Sequence, residues 1–445
     1  MSSRGALIPL ASLIALGAAA ALLESQPAPG GFVQLQPGVL EVRQEIILES
    51  GAELRGAPAG TVLRLAPGFQ GRAAIVVRGD NVRLRDFTID GNRDAMETRG
   101  GLPGSDVPFV KFTRSNGVLA QAVADLEIEN VRFRNMAGFA VLVNRSTGVD
   151  INRVEVEDSG SPNQEGQNNA TGGILLEEGV SGFRVTRCEL RNIRGNGIWT
   201  HSLYTSPRNT RGEISLNRFE TIGRDAIQVG HAAEIRVEQN QGERIGFPVE
   251  AVDIGNRAIP VAIDTAGNVE QSLYAGNSFE DINGKCIDLD GFHDGEVRDN
   301  VCMNRGPASD YRFGNYGIVM NNSNPDMRSE KIRIVGNTID GPLFGGIFVI
   351  GAGHTVARNR LRHLNTAHCN EEAARFGCYY AAGEPDMLRS GIYLGRGAAR
   401  PAPARGNLIE DNEIGGFKMD TRCVALAPGI EPGWNTVRGN RCRAE

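Results

Sequence analysis

A short pattern built around asparagine recurs along most of the chain and constrains the fold more than any other feature. The pattern is apolar-x-x-Asn-x-apolar, with Cys188 in the Asn place once and Asn240 in a partial copy. Its Asn residues are Asn152, Asn217, Asn277, Asn300, Asn337, Asn359, Asn412 and Asn440. Successive copies are often 22 or 23 residues apart, and two spacings are 37. Repeats of this length, made only of short apolar runs, indicate a parallel β-solenoid.

A second pattern precedes each Asn turn: a small residue followed by apolar-x-apolar, as in Gly197-Ile-Trp-Thr and Cys286-Ile-Asp-Leu. Side chains alternate between the two faces of a strand, so the first and third residues after the small one fill the core and the second faces outwards. Asn tolerates the backbone of a sharp corner, and its amide can bond to the Asn of the next coil. We therefore predict a stacked Asn ladder with a structural role.

These Gly-Ile-x-Leu strands and Asn turns resemble those of right-handed parallel β-helix proteins, the superfamily of pectin and alginate lyases, polygalacturonases and mannuronan epimerases. The resemblance covers about residues 32–443. It implies an all-β fold, a single right-handed parallel β-helix of about 11–12 coils with loop insertions. The polygalacturonase motifs do not occur in order, and Asp290-Gly-Phe-His293-Asp294 is only loosely similar to the Asp-Pro-His-Asp of the epimerases. No single family is indicated.

The N-terminus has the layout of an export signal over residues 1–25, with Arg4, an apolar run over 7–23 and small residues at 18–21. An uncleaved N-terminal anchor is the alternative, and no later segment is apolar for long enough to span a bilayer. Residues 26–70 are expected to form capping strands, and residues 71–445 the β-helix. We expect the protein to be secreted, periplasmic or at the cell surface.

The seven cysteines would then lie in an oxidising compartment. Cys286 and Cys423 each precede a core strand, and Cys302 and Cys442 each follow the Asn of a turn by two residues. The same two coil positions thus carry Cys twice. The predicted disulfides are Cys286–Cys302, Cys423–Cys442 and, within one insertion, Cys369–Cys378, which leaves Cys188 unpaired. The alternative is buried free thiols throughout.

The net charge and the loop insertions indicate which class of partner the protein binds. A net charge of -6 and no basic patch with interleaved aromatics argue against a nucleic-acid binder. We expect a monomer whose partner is a polysaccharide, with no nucleic acid and no membrane contact beyond an N-terminal anchor, should the export signal stay uncleaved. Seven insertions flank the small-apolar-x-apolar strands, at about 159–171, 202–212, 246–260, 303–316, 322–330, 365–390 and 396–406. Loops at both ends of one strand stack would wall a groove along that sheet.

The outward residues of this strand stack supply the candidate site. Adjacent coils stack about 4.8 Å apart, which makes Asp264 and Asp288 neighbours, with Asp290 on the same strand as Asp288. Two carboxylates so close cannot both ionise easily, so one can donate a proton while the other acts as base or nucleophile. The predicted catalytic residues are Asp264, Asp288, Asp290 and, as a candidate base, His293.

Trp199 and Tyr393 are predicted to stack on sugar faces, and His201 is a second candidate base. The residues predicted to bind substrate are Trp199, His201, Gln228, Lys285, Asn321 and Tyr393. No cofactor is predicted, although three carboxylates and Asn321 supply the hard oxygen ligands of a Ca²⁺ site. The His and Cys positions form no zinc pattern.

The predicted function is cleavage of a glycosidic bond in a polysaccharide bound along the groove between Trp199 and Tyr393. Two other functions stay open. One is a non-catalytic carbohydrate-binding or surface protein in which the Asp cluster binds Ca²⁺ or only solvates the face. The other is a uronate lyase or epimerase that uses His293 and Lys285. The sequence is compatible with an enzyme and with a binding protein.

Overall fold

The structure is a computed structural model, and it describes residues 21–22, 31–96, 107–253, 259–370, 378, 384–397 and 400–445. Apart from residues 21–22, the predicted export signal over 1–25 lies outside the described residues, so it stays a prediction. Parts of the insertions at 246–260, 365–390 and 396–406 also lie outside them.

The described chain coils into three parallel β-sheets, and each coil contributes one strand to each sheet in turn. Strands of neighbouring coils pair in parallel throughout, as Ile263 does with Ile287. Crossovers between parallel strands of one sheet are right-handed. The fold is therefore the right-handed parallel β-helix that the sequence predicts. Within the described residues the three sheets contain 13, 14 and 15 strands, somewhat more than the predicted number of about 11–12 coils, because strands before residue 70 pair with the stack in the same way.

The sheet that carries the candidate site is called the groove sheet. Its strands are Ile46–Leu48, Ala73–Val77, Asn116–Gln121, Val141–Asn144, Ile174–Glu177, Ile198–His201, Ile227–Val229, Val261–Glu270, Lys285–His293, Ile318–Asn321, Ile347–Val349, Ile392–Leu394 and Val424–Leu426. Two of these strands are longer than the rest because they continue round a corner into the second sheet. The corner falls at Gly267 and Gly291, whose positive φ angles of 123° and 80° suit glycine.

The other two sheets close the coil. The strands of the second sheet are Phe32–Gln34, Glu53–Arg55, Val82–Arg85, Ala124–Glu129, Thr147–Asn152, Ser181–Thr186, Asn209–Ser215, Ala232–Glu238, Leu273–Ala275, Glu296–Arg298, Arg333–Val335, Thr355–Ala357, Leu408–Glu410 and Thr436–Arg438. Those of the third sheet are Ala21–Leu22, Gly38–Val42, Thr61–Leu65, Thr88–Asp90, Arg132–Arg134, Glu155–Ser159, Glu189–Ile193, Arg218–Ile222, Gln241–Ile245, Ser278–Ile282, Val301–Met303, Thr338–Asp340, Arg360–Leu364, Glu413–Gly416 and Arg441–Ala444. The described helices are short: Arg93–Met96 and Phe109–Phe112, with 3₁₀ turns at Val249–Ala251, Ala308–Asp310 and Met387–Arg389.

The core is a column of stacked apolar side chains. Ile227, Ile263, Ile287 and Ile318 pair on successive coils, and each is fully buried. Burying one such side chain contributes about 1.5–3 kcal/mol. Because alternate residues point to opposite faces, this column also turns the residue that follows each Ile outwards, onto the groove sheet.

The predicted Asn ladder runs along one corner of the stack. Its members are Asn217, Asn240, Asn277, Asn300, Asn337, Asn359, Asn412 and Asn440. From Asn240 onwards, each side-chain oxygen accepts both the backbone N–H and the side-chain Nδ2–H of the Asn on the preceding coil, as Asn277 does from Asn240 at 3.0 and 2.9 Å. The oxygen of Asn217, the first member, accepts the backbone N–H of Cys188. Asn152 was wrongly placed in this series. It pairs with Thr186, two residues before Cys188, so Val154 holds the corner position of that coil.

Disulfide bonds join the three pairs that the sequence predicts: Cys286–Cys302, Cys369–Cys378 and Cys423–Cys442. Cys188 is a buried free thiol. Three disulfides are compatible with an extracellular protein. Within the described residues, no helix combines the length and the apolar character needed to cross a membrane.

Candidate functional site

The groove sheet brings the predicted carboxylates together. Gln228 pairs with Asp264 on the next coil, and Ile263 pairs with Ile287 on the coil after that. The residues that follow these two isoleucines, Asp264 and Asp288, are therefore outward neighbours on adjacent coils. Their side chains are nevertheless well covered, at 8% and 7% exposed. The two carboxylates are thus buried on the outer face of the groove sheet, where charge is costly.

Lys285 and Asp288 form an ion pair. The ammonium of Lys285 contacts Oδ2 of Asp288. Burial by itself would lower the pKa of Lys285, but the neighbouring carboxylates, Asp288 first among them, outweigh it, and that pKa is raised. The other oxygen of Asp288, Oδ1, is buried and accepts no hydrogen bond from the described residues. A buried acceptor without a donor carries a free-energy cost, so Oδ1 is suited to meet a ligand or a reacting atom.

Asp225 is a third buried carboxylate, and it is not among the residues predicted from the sequence. Its Oδ1 accepts the backbone N–H of Val261 at 3.0 Å. Burial raises the pKa of Asp225 to about 6, and the neighbouring Arg224 opposes that rise. Asp225 precedes Ile227 by two residues, the same offset at which Lys285 precedes Ile287. That offset is the signal that could have revealed it.

The environment of Asp264 favours its neutral form. Burial is the largest cause, and the charges of Asp225 and Asp288 add to it, so that the pKa of Asp264 is raised well above its usual range. Gln228 donates from Nε2 to Oδ2 of Asp264 at 2.6 Å, and Asn196 donates from Nδ2 to Oε1 of Gln228 at 2.8 Å. Asp264 is thus a buried acid held by a line of amides.

Asp290 anchors a loop. Its two oxygens accept the backbone N–H of Ser323 at 2.8 Å and the hydroxyl of Ser323 at 2.5 Å. Burial raises the pKa of Asp290, and these hydrogen bonds oppose the rise. Ser323 opens the 322–330 insertion, so this carboxylate, predicted to support catalysis, is engaged in holding that insertion. Asn321, on the coil after Asp290, pairs with it, and Oδ1 of Asn321 is buried with no donor among the described residues.

Insertions from different coils contact one another along both edges of the groove sheet. At one edge, Asn324 donates to the hydroxyl of Tyr204 at 2.8 Å, which links the insertions at 322–330 and 202–212. At the other edge, the backbone N–H of Asn168 donates to Ala251 at 2.6 Å, and the backbone N–H of Asp253 donates to Oδ1 of Asn168 at 2.7 Å. The 159–171 and 246–260 insertions are thereby joined.

Neither predicted sugar-stacking ring offers an open face. Trp199 packs edge-on against Phe109, with 4.9 Å between ring centroids, and is buried. Phe109 belongs to a segment held over the groove sheet by Glu177, which accepts the N–H groups of Phe109 and Val110. Tyr393 is 0% exposed and stacks on Phe348 at 6.0 Å. Both rings are packed against other aromatic side chains, so neither presents a free face to a sugar ring.

The two predicted histidine bases are not brought to the carboxylates. His293 follows the corner at Gly291, and its ring nitrogens lie 2.9 Å from Oδ2 of Asp294 and 2.6 Å from Oδ1 of Asn268. Strand alternation alone could not show that the chain turns there. His201 lies beside Trp199, and burial lowers its pKa to about 4.

A cation site requires several ligands around one point, and no group of three His, Cys, Asp or Glu side chains within the described ranges is arranged in this way. At Asp288 the positive charge that a cation would supply comes from the ammonium of Lys285. The Ca²⁺ site stays a prediction. Chemically, the cluster combines Asp264, a carboxyl group whose pKa is raised by burial and by neighbouring negative charge, with Asp288, whose Oδ1 accepts no hydrogen bond from the described residues.

Comparison with known proteins identifies the fold. Residues 73–259 match the family model described as "Right handed beta helix region". No curated protein sequence matches the chain. Among solved structures, PfbA, a surface adhesin of Streptococcus pneumoniae, is 13% identical, with 76% of this chain and 83% of that chain covered and a TM-score of 0.55.

Two further structures are similar to the same degree. DFA-IIIase from Arthrobacter chlorophenolicus A6, without its lid and in complex with GF2, is 13% identical over 92% of this chain and 88% of that chain, with a TM-score of 0.54. The Dettilon tailspike protein is 13% identical over 74% of this chain and 60% of that chain, with a TM-score of 0.52. At such identities the likeness is one of fold alone, the right-handed parallel β-helix, and it points to no specific family.

Proposed function

We propose that this right-handed parallel β-helix protein cleaves a glycosidic bond in a carbohydrate chain that binds along the groove sheet. Asp264 is the proton donor, and Asp288 is the nucleophile or base. The observation that carries the proposal is the contrast between two neighbouring carboxylates. Burial and adjacent negative charge raise the pKa of Asp264, whereas the ammonium of Lys285 balances the charge of Asp288. Pairs of carboxyl groups with opposite environments are the usual acid and base of glycosidic cleavage.

The reaction follows from these assignments. Asp264 transfers its proton to the glycosidic oxygen as the bond from that oxygen to the anomeric carbon breaks, and the departing sugar leaves as an alcohol. Oδ1 of Asp288 attacks the same carbon, and a water molecule deprotonated by Asp264 then releases the glycosyl group. Neighbouring coils are about 4.8 Å apart, close to the 5–5.5 Å separation of carboxyl groups in retaining enzymes. We therefore expect retention of the anomeric configuration.

The charges around the cluster favour a neutral glycan over a uronate. A lyase or epimerase needs a cation to bind the substrate carboxylate and a base to remove a proton. Within the part of the chain that the structure describes, Lys285 is paired with Asp288, and His293 contacts Asp294 and Asn268. Lys285 and His293, the residues that such an enzyme would use, are therefore already bonded to other side chains.

A second function, binding without cleavage, is favoured by one observation. Asp264 and Asp288 are almost fully covered, so a glycan that rests on the walls of the groove need not reach them. PfbA, one of the proteins with a similar fold, is an adhesin. The same experiment separates the two functions.

The test is a panel of neutral and uronate polysaccharides incubated with the purified protein, with new reducing ends and unsaturated products as readouts. Asp264→Asn and Asp288→Asn should each lower the rate by about 10²–10⁴-fold, the usual contribution of acid–base groups. Asp299→Asn is the matched control, because it removes an exposed carboxylate at a distant corner. Reducing ends released equally well by either cluster variant would refute the proposal. Binding without release would establish the second function, and unsaturated products would establish elimination.

A further inference from the structure

A line of hydrogen bonds crosses three coils and ends on Asp264. It begins at the backbone N–H of Asp225, which donates to Oδ1 of Asn196 at 3.3 Å. Nδ2 of Asn196 donates to Oε1 of Gln228 at 2.8 Å, and Nε2 of Gln228 donates to Oδ2 of Asp264 at 2.6 Å. Asn196 and Gln228 are both buried, so water does not compete for these groups. Neither Asn196 nor Asp225 was found from the sequence.

The direction of this line is set at its first member. A peptide N–H can only donate, so the atom of Asn196 that faces it must be the oxygen. The donor end of Asn196 then faces Gln228, whose oxygen must accept, and the donor end of Gln228 faces Asp264. Reversing either amide would place two donors or two acceptors against each other at a buried contact.

We propose that Asn196 is a positioning residue that acts through Gln228 to fix which oxygen of Asp264 carries the proton. Oδ2 accepts the hydrogen bond from Gln228, so the proton of the neutral acid resides on Oδ1. The inference rests on the proposed function, in which that proton goes to the glycosidic oxygen. The new element is the orientation of the acid: Gln228 occupies Oδ2 of Asp264, and Oδ1 is therefore the oxygen that donates the proton.

Other buried Asn residues at the turns of this protein bond differently. Nδ2 of Asn116 donates to the backbone oxygen of Arg72 at 2.8 Å, and Nδ2 of Asn209 donates to that of Leu176 at 3.3 Å. Those contacts hold the backbone of a turn. Asn196 instead donates to a side chain whose other end contacts the candidate acid, which sets it apart from the structural asparagines.

The decisive variant is Asn196→Asp. The new carboxylate can still accept the N–H of Asp225, but it has no donor for Gln228. Gln228 then reverses, and its oxygen accepts the proton of Asp264 from Oδ2. We expect kcat to fall by about 10²-fold with KM little changed, as for loss of a proton donor. The alkaline limb of the pH profile should move upwards, because the new negative charge and the reversed amide both favour neutral Asp264.

Asn209→Asp is the matched control, since it makes the same chemical change at a fully buried Asn outside the line. It should lower thermal stability without moving the pH profile. Should Asn196→Asp fail to fold, Gln228→Met decides. It removes the donor to Asp264 together with the acceptor for Asn196, and the alkaline limb should again move upwards with a fall in kcat. A profile that stays at the wild-type position in both variants overturns the inference.

The protonation of Asp264 can also be followed without any substrate. Its signal is the infrared band of the protonated carboxyl group, identified as the band that is missing from the Asp264→Asn spectrum. Asn196→Asp should raise the pH at which this band is lost, and Asn209→Asp should not. If the band shifts as expected while the wild type cleaves no glycan, the proposed function fails and the hydrogen-bonded line stands. If the wild type cleaves glycan but Asn196→Asp matches Asn209→Asp in both measurements, the inference fails alone.

Discussion

Replacing Asn277 with Ala in the middle of the Asn ladder should destabilise the β-helix by about 3–5 kcal/mol. The side chain is buried and makes four hydrogen bonds. Its oxygen accepts from the backbone N–H and Nδ2 of Asn240 at 3.0 and 2.9 Å. Its Nδ2 donates to the backbone oxygen of Val237 at 2.9 Å and to Oδ1 of Asn300 at 2.8 Å.

The magnitude follows from the groups left behind. Truncation leaves three groups without partners: the backbone N–H of Asn240, one of its two Nδ2–H donors and the oxygen of Val237. The other Nδ2–H of Asn240 keeps the backbone oxygen of Ile214 at 2.9 Å, and Oδ1 of Asn300 keeps its bond from the backbone N–H of residue 277 at 3.0 Å. Each buried group without a partner costs about 1–3 kcal/mol, so three such groups set an upper range of about 3–9 kcal/mol. Relaxation of the corner brings the expected value to the lower part of that range.

The assay compares Asn277→Ala with Asn152→Ala by urea unfolding followed through circular dichroism. Asn152 lies in the same sequence motif, but it is half-buried and its side chain accepts one bond, from the hydroxyl of Thr186 at 3.4 Å. We expect its loss to cost about 0.5–1 kcal/mol. Equal shifts of the unfolding midpoint at an unchanged m-value would refute the ladder argument.

Three further predictions concern the groove. Asp225→Asn removes a charge that raises the pKa of Asp264, so the alkaline limb of kcat/KM should move to lower pH by about one unit, and an unmoved limb would contradict the coupling. Burial raises the pKa of Glu177 from 4.5 to about 7, so the folded protein loses stability as the pH rises between those values, because the unfolded chain ionises first. Glu177→Gln cannot ionise and should abolish this pH dependence, although its amide N–H₂ replaces one oxygen that accepts a backbone N–H; melting curves of the variant with the wild-type pH slope would count against the reasoning. Joint replacement of Cys286 and Cys302 by Ala opens a 16-residue loop beside Lys285, and it should lower the free energy of unfolding by about 3 kcal/mol and abolish most of the activity. Joint replacement of Cys423 and Cys442, in the last coil, should lower the free energy of unfolding by a similar amount in chemical unfolding and leave the activity intact.

The fold and the register of the candidate site could be predicted because both depend on short-range periodicity. A coil length near 23 residues and a strict alternation of side chains place Asp264 beside Asp288 without further information. Cysteines at the same positions in two coils identified their partners for the same reason. The alternation also explains the error at Asn152: its motif matches the others, but pairing with Thr186 shows that it lies two residues before the corner.

Exposure, in contrast, could not be predicted from position on a strand. Trp199 and Tyr393 face outwards as expected, yet Phe109 covers the first and Phe348 packs on the second. Phe109 lies ninety residues before Trp199 in the chain. Such a contact depends on how the segment around Phe109 folds over the groove sheet, and the alternation of side chains along a strand carries no information about that. The turn at Gly291 that takes His293 away from the carboxylates is a similar case.

The chemistry of the site arises across the coils, so the residues that control it have no motif along the chain. Asp225, Asn196 and Gln228 are ordinary turn or strand residues when each is considered in its own coil. Stacking at one coil spacing turns them into a charge and a directed hydrogen-bond line that act on Asp264. A conservative change in one coil, such as Asn196→Asp, should therefore alter the protonation of a residue two coils away. In a β-helix, function is better sought among polar residues that recur at the coil length than among neighbours in the sequence.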